Sequence, residues 1–497
     1  MYACQPLGTE ADFCFFNGYR FLIKARKSPY RYETIAEELA EQIRAGRFSP
    51  GDKIPGTRVL AENFGVSINT VLQVQKLLEN RGLIEAVQRS GFYVKRQVTA
   101  IAELEPSRRP TPLKPALVRH QRLTLDMIQD SDHEGVLQLG TGMPHPSFFP
   151  SRELNRIAAR IARDNDDVFD HYELPPGLPA LRHSLAQRMQ GFGCRVDASE
   201  VLVTNGCFEA LTLALKSVTE PNDVILMESP SYYGLLQVID SLDLQAIPIP
   251  SHPETGISLG EVRKACEKWP VKACLVVSNF STPQGNCPDD EQKQALLNLL
   301  SECRVPLVED DVFGDLTFGG GRPAPYKKFD SKGEVLYCSS FSKTVAPGLR
   351  VGWLLPGRYL EKATYLKFAH NIATSALNQM VLDEYLRKGN VDRHIRKVRQ
   401  IYATNIAQTI DLIQQVFPPD TKTSNPLGGF TLWVKLPERF DTAELYRQAL
   451  AENIFIAPDK LFSNDRRFHS FIRINCAHPW DPVLKPAIIT LGQLLQP

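Results

Sequence analysis

The chain has 497 residues, 43% of them hydrophobic, with 57 Lys or Arg against 56 Asp or Glu; it is too long for one ordinary core and too apolar for a disordered chain, so two or three domains are expected. No run reaches about 18 uninterrupted apolar residues, the first 20 lack the basic, apolar and small-residue order of a leader, and the ten Cys form neither a disulfide framework nor a CxxC knuckle. A soluble cytoplasmic protein, with no membrane contact and no metal, is expected. The balanced charge hides an asymmetry: residues 1–122 hold 19 basic and 12 acidic side chains, and the other 375 are net −6. A basic front end of this kind suits a polyanion.

Residues 1–29 form an aromatic-rich extension with no assigned role. Within 30–98 the stretch YETIAEELAEQIRAG, 32–46, places Ile35, Leu39 and Ile43 on one helical face and stops near Gly46. A short helix follows over 57–64 with Leu60, Ala61 and Phe64 inward. Gly65 and Val66 then turn the chain to Ser67, an N-cap for a third helix that buries Val71, Val74, Leu77 and Leu78. Beyond Gly82, LIEAVQRSGFYV alternates and turns at Ser90-Gly91, giving a two-stranded wing over 83–87 and 92–95. Helix, tight turn and a helix with a free N-terminus is the geometry that enters a major groove. Pro106, Pro110, Pro112 and Pro115 then open a linker, 99–129.

Residues 50–94 resemble the winged helix-turn-helix of the GntR class of bacterial regulators. The resemblance implies binding to double-stranded operator DNA, with Arg58 at phosphate or base, Ser67, Asn69 and Thr70 opening the recognition helix, and Gly91 turning the wing. Lys76, Arg81, Arg89, Lys95 and Arg96 are further charge candidates. Gly56 and Ile68 depart from the pattern, which usually has Ser and Arg at those places; an Arg at 68 would read guanine or clamp phosphate.

From 130 to 497 apolar strands alternate with helical stretches: VLVT (201–204), DVILME (223–228), ACLVVSN (273–279), VPLVED (305–310) and VLYCSSF (335–341). Strands of this kind, buried on both faces, argue for a mostly parallel α/β sheet with ligands at its carboxyl ends. Those ends carry Gly206-Cys207-Phe208, a glycine turn opening a helix whose amides can hold phosphate, then Tyr232, Thr282-Pro283, Asp310-Asp311 and Ser340 to Lys343. With no GxxxxGK loop and no GxGxxG followed by an acidic residue, ATPase and hydride-transfer chemistry are set aside.

Together these pieces resemble the fold type I aminotransferases that bind pyridoxal 5'-phosphate, over 130–497, with a smaller C-terminal lobe from about 400. SSFSKTVAPGLRVGW, 339–353, looks like the cofactor-lysine segment. The resemblance implies Lys343 as the catalytic lysine of an internal aldimine and Ser340, Arg350 and the amides of Cys207 and Phe208 on the phosphate. It also implies Asp310 on the pyridine nitrogen, Tyr232 over the ring, and Arg473 on the α-carboxylate of an amino acid. Tyr172 would reach the phosphate of a second subunit, which implies a homodimer. Thr282, Phe313 and Phe208 stand where the enzymes commonly have Asn, Tyr and Gln. A winged helix, a Pro-rich linker and this body, in that order, resemble the MocR regulators: transcription factors expected to sense an amino acid or amine by aldimine exchange. The alternative is a working aminotransferase with an appended DNA-binding domain, and multiple turnovers would tell them apart.

Overall fold

The computed structural model describes residues 13–16, 19–22, 31–44, 47–48, 52–80, 83–87, 91–94, 113–117, 129, 133–319, 321–463 and 468–496, in two units, Met1–Thr99 and Ala100–Pro497. The N-terminal unit opens with an antiparallel hairpin of β1 (Phe13–Phe16) and β2 (Tyr19–Leu22), which the sequence reading leaves without a role. Three helices follow: α1 (Arg31–Arg44), α2 (Thr57–Phe64) and α3 (Ile68–Asn80). Ile35, Leu39 and Ile43 of α1 meet Leu60 of α2 and Val71, Val74 and Leu78 of α3 in one buried cluster, as the spacing dictates. The tight turn has two physical causes. Gly65 adopts φ 57 and returns its amide to the carbonyls of Ala61 and Glu62, and Ser67 Oγ accepts from the Thr70 amide at 3.1 Å to start α3. The wing pairs β3 (Ile84–Val87) with β4 (Gly91–Val94). Residues 52–54 lie along its other edge through Ile54 N to Phe92 O, 3.0 Å, and Val94 N to Asp52 O, 2.8 Å.

In the C-terminal unit the strands run, in chain order, β5 (Ala116–Leu117), β6 (Leu137–Gln138), β7 (Leu202–Thr204), β8 (Val224–Ser229), β9 (Gln245–His252), β10 (Gly256–Ile257), β11 (Val271–Val277), β12 (Leu307–Asp310), β13 (Val335–Ser340) and β14 (Gly352–Leu355). The large sheet has the order β10-β9-β8-β11-β12-β13-β14-β7, with β5 added to β9. Strands β9, β8, β11, β12 and β13 are parallel, while β14 lies antiparallel between β13 and β7. Period-two alternation divides the core: Ile225, Leu275, Val308 and Leu336 face one cluster, and Leu226, Val276, Leu307 and Val335 the other. The far end of the Pro-rich stretch is tied to this sheet through β5 and through Trp269 Nε1, which donates to Leu113 O at 3.1 Å.

The smaller sheet takes β15 (Lys422–Thr423), β16 (Thr431–Lys435), β18 (Ala457–Pro458) and β19 (Phe471–Asn475) in the order β15-β16-β19-β18, while β17 (Ile454–Phe455) pairs parallel with β6. Residues 137–145 are thereby stitched to the C-terminal lobe: Asn475 N donates to Leu139 O and His145 N to Ala477 O, each at 2.8 Å. Among the described residues no helix is long and apolar enough to cross a membrane.

Candidate functional site

Parallel pairing brings the carboxyl ends of β8, β11, β12 and β13 to one edge of the sheet, and β7, antiparallel to β14 as β13 is, ends at the same edge. Past β7 the chain turns at Gly206, φ 85, into the helix Cys207–Val218, whose N-cap has no side-chain hydrogen bond. Its first amides are thus left for an anion. A Cβ at Gly206 would lie 2.5 Å from Nη2 of Arg350, so only glycine lets that guanidinium cross the turn. Arg350 sits in the left-handed region at φ 50 and donates to Asn205 O at 3.0 Å and to Ser342 Oγ at 3.4 Å. Ser340 Oγ, at the end of β13, accepts from the Ser342 amide at 3.4 Å. One cation, one hydroxyl and unpaired amides meet at a single corner, a donor set matched to phosphate.

The amine of Lys343 donates to Gly142 O at 2.6 Å and to Met143 Sδ at 3.3 Å. A Cβ at Gly142 would lie 3.6 Å from Lys343 Nζ and 3.9 Å from Cε2 of Tyr232, so this glycine keeps a gap beside both. Burial and the cations Arg473 and Arg350 push the amine down to about 8, against the pull of Asp310. Asp310 is buried and is met by the Cys207 thiol at 3.6 Å. Burial lifts its carboxyl to about 7. Capture of added pyridoxal phosphate at Lys343 is therefore expected to rise with pH through a midpoint of about 8, against about 10.4 for an ordinary lysine. Initial rates of borohydride-fixed label at that residue measure it; a midpoint near 10 would mean a fully solvated amine.

The neighbouring carboxylates part company because successive residues of a strand face opposite sides. Asp311 takes Asn279 Nδ2 at 2.8 Å, Tyr337 OH at 3.0 Å and the Arg322 guanidinium, leaving Asp310 alone toward Lys343. Tyr232 packs on Tyr233 with ring centroids 4.5 Å apart and meets Phe208 edge-on at 6.5 Å. Phe313 is buried against Phe430.

Arg473, in β19, has no exposed surface. Its Nη1 donates to Thr282 Oγ1 at 3.1 Å and its Nη2 to Gly140 O at 2.6 Å, while Nε has no partner. Its guanidinium lies 4.8 Å from the ring centre of Phe462 and 5.6 Å from that of Tyr233. Thr282, read in the sequence as a departure, is thus a support for Arg473.

Lys343, Asp310, Cys207, Tyr232, Phe208, Ser340, Arg350 and Arg473 converge within one unit; Tyr172 does not join them and stands 69% exposed. In the N-terminal unit Arg58, Ser67, Asn69 and Gly91 are exposed and Thr70 half-buried, while Arg89 lies outside the described residues. Sequence reasoning missed the turn Gly140 to Met143, whose backbone oxygens receive both cations. Its LGTGMP letters, with glycines two apart beside a short strand, were the available signal.

The set fits pyridoxal phosphate: an anion corner, a buried carboxyl, an aromatic ring and a lowered amine surround a glycine-lined gap. Residues 31–94 match the family model for bacterial regulatory proteins of the gntR family, and residues 136–488 that for aminotransferases of class I and II. An uncharacterised HTH-type transcriptional regulator of Escherichia coli, YjiR, is 36% identical over 463 residues, 93% of this chain and 98% of its own. A second from the same organism, YdcR, is 34% identical over 467 residues, 94% and 99% of the two chains. Among solved structures, the α-aminoadipate aminotransferase LysN of Thermus thermophilus, complexed with N-(5'-phosphopyridoxyl)-L-leucine, has a TM-score of 0.69 at 27% identity, over 74% of this chain and 94% of its own. The two full-length relatives carry the name of regulator, not of aminotransferase.

Proposed function

The chain belongs to the MocR-type regulators, in which a GntR-family DNA-binding domain is fused to an aminotransferase class I and II domain, and from that premise we propose that its body senses an amino acid and its winged helix answers on operator DNA. The observation that carries this reading is the convergence of Lys343, Asp310, Arg350 and Arg473 at one sheet edge in a chain that also bears a winged helix. Arg350, Ser340 and the amides of Cys207 and Phe208 would hold the phosphate of pyridoxal phosphate, and Asp310 and Tyr232 would serve its ring. When bound, pyridoxal phosphate supplies a carbonyl that captures amines and a ring that withdraws electrons. Lys343 would hold and release a proton at Nζ, and Arg473 would take the carboxylate of an amino acid in two prongs.

Both cations rest on the turn Gly140 to Met143, which follows β6. A ligand that draws Lys343 from Gly142 O, or Arg473 from Gly140 O, would therefore act first on this turn and on the C-terminal lobe to which Asn475 N ties it at Leu139 O. Tyr172, exposed in the single chain, serves the phosphate of a second copy, which makes the regulator a homodimer working in the cytoplasm. Coupling requires that the two arrangements differ in ligand affinity.

Titration of the full chain onto a selected operator, with pyridoxal phosphate and across the amino acids, tests this. The expected result is a change of about 5- to 150-fold in DNA affinity, or a change in DNA bending, for one ligand class and only with the cofactor present. DNA binding indifferent to every amine, alongside repeated turnover of an amino acid with an oxo acid, would make the protein an enzyme instead.

A further inference from the structure

Helix α3 buries Val71, Val74, Gln75 and Leu78 and turns a different kind of face outward. Ile68 and Leu72, one helical turn apart, are 49% and 48% exposed. Asn69 and Gln73 lie beside them, also exposed, and Lys76 follows a turn later. At about 100° per residue these five occupy a single sector of about 140°. Two branched aliphatic side chains are thus left in water at the N-terminal end of the helix that the tight turn presents.

The occupant of such a face is set by charge. Lys76 on this face, and Arg58 and Lys53 elsewhere in the unit, are exposed, and the first 122 residues carry 19 basic against 12 acidic side chains. An apolar and amide face on a basic unit suits the major groove, where phosphates flank base edges. The groove code then narrows the target. Asn and Gln pair with adenine N6 and N7, aliphatic groups pack on the thymine methyl, and guanine is read chiefly by Arg or Lys. Residues 68–75, INTVLQVQ, contain neither Arg nor Lys, and Ile68 stands where the resembled regulators usually carry Arg. Glu79, the remaining exposed group of this sector, lies at the far end of α3, away from the N-terminal turns that meet base edges.

Resting on the DNA-reading role proposed above, we propose that α3 reads A·T pairs: Ile68 and Leu72 pack on thymine methyls, Asn69 and Gln73 bond adenine edges, and Lys76 takes a backbone phosphate. On this reading the thymine side of each pair is read by two aliphatic side chains and the adenine side by two amides.

Deoxyuridine tests it, because it removes the thymine methyl and leaves base pairing intact. The full-length protein selects its site from a random duplex pool, and the selected site is remade with each thymine in turn replaced. The expected result is A·T pairs at adjacent positions of each half-site and about a fourfold loss of affinity for each contacted methyl. Ile68→Ala and Leu72→Ala should each abolish the thymine-uracil difference at one position, and Asn69→Ala should relax adenine preference at another. All three residues are solvent-exposed, so folding is not at stake. A selected site that binds equally with uracil throughout, or a discrimination unchanged in both aliphatic variants, would overturn the proposal while leaving DNA reading intact. So would a shift in oligomeric state on Ile68→Ala with DNA preference unaltered, since the face would then belong to a second copy. Failure to select any sequence would instead remove the DNA-reading role itself.

Discussion

Replacement of Lys343 by Ala is expected to give a colourless protein that still binds DNA but no longer answers any amino acid. The amine is the group that bonds Gly142 O at 2.6 Å, and its position past the end of β13 sets it toward Asp310 and the anion corner. Its loss removes covalent capture outright, so borohydride-fixed label at this residue should fall to background, and the effector-dependent change in DNA affinity should vanish with it. Folding should survive. The amine is held below its ordinary range, at about 8, so the unfolded chain binds a proton there more readily than the native one. Whatever this group contributes to stability is present above about 10.4 and is lost as pH falls through about 8. At pH 7 the native protein therefore carries the full cost of a buried ammonium, and the Ala variant is relieved of it. The melting temperature of the ligand-free variant at pH 7 should equal or exceed that of the parent. A variant that still binds the aldehyde in a reducible form, or that responds to amino acids undiminished, would sink the sensing role of this residue.

The sites that could be read from the letters are those where a strand end or a helix cap carries a side chain with one evident use. Gly65 and Ser67 announce the turn and the cap, and α2 runs over the residues that its short apolar pattern marks. Asp310, Ser340 and Lys343 stand at the ends of apolar strands, where a parallel sheet must gather them. Strand β14 was harder to see, because GWLL follows the Arg350 turn directly and reads as the tail of a motif, not as an antiparallel strand between β13 and β7. Strand β9 hides behind Pro248 and Pro250, which normally demote a central strand. In the described residues its outer edge is met by β5 only at Gln245 and Ala246 and by β10 only at Ser251 and His252. The two prolines therefore fall where that edge has no strand beside it. The turn at Gly140 to Met143 escaped for another reason: it acts through backbone oxygens, which have no letter, on partners about 200 and 330 residues away.

That turn makes Arg473 the position with the next largest expected effect. A guanidinium with no exposed surface normally has a carboxylate against it, since an uncompensated buried charge is costly. Here its hydrogen bonds go to a threonine hydroxyl and a peptide oxygen, and Nε has none. The aromatic faces of Phe462 and Tyr233 supply part of the compensation. On the proposed reading a two-oxygen anion would supply the rest, and hydrogen bonds to charged groups are worth about 1.5–3 kcal/mol each. Arg473→Ala should accordingly weaken the binding of an α-amino acid about 100-fold or more, while a simple alkylamine of the same side chain, lacking the carboxylate, should bind the variant and the parent alike. Arg473→Lys should fall between, because the charge remains but the planar fork is lost. The comparison of acid with amine is what separates a ligand contact from a structural one. If both lose affinity together, the guanidinium merely props Thr282 and Gly140; if only the acid does, its two prongs are what the carboxylate meets.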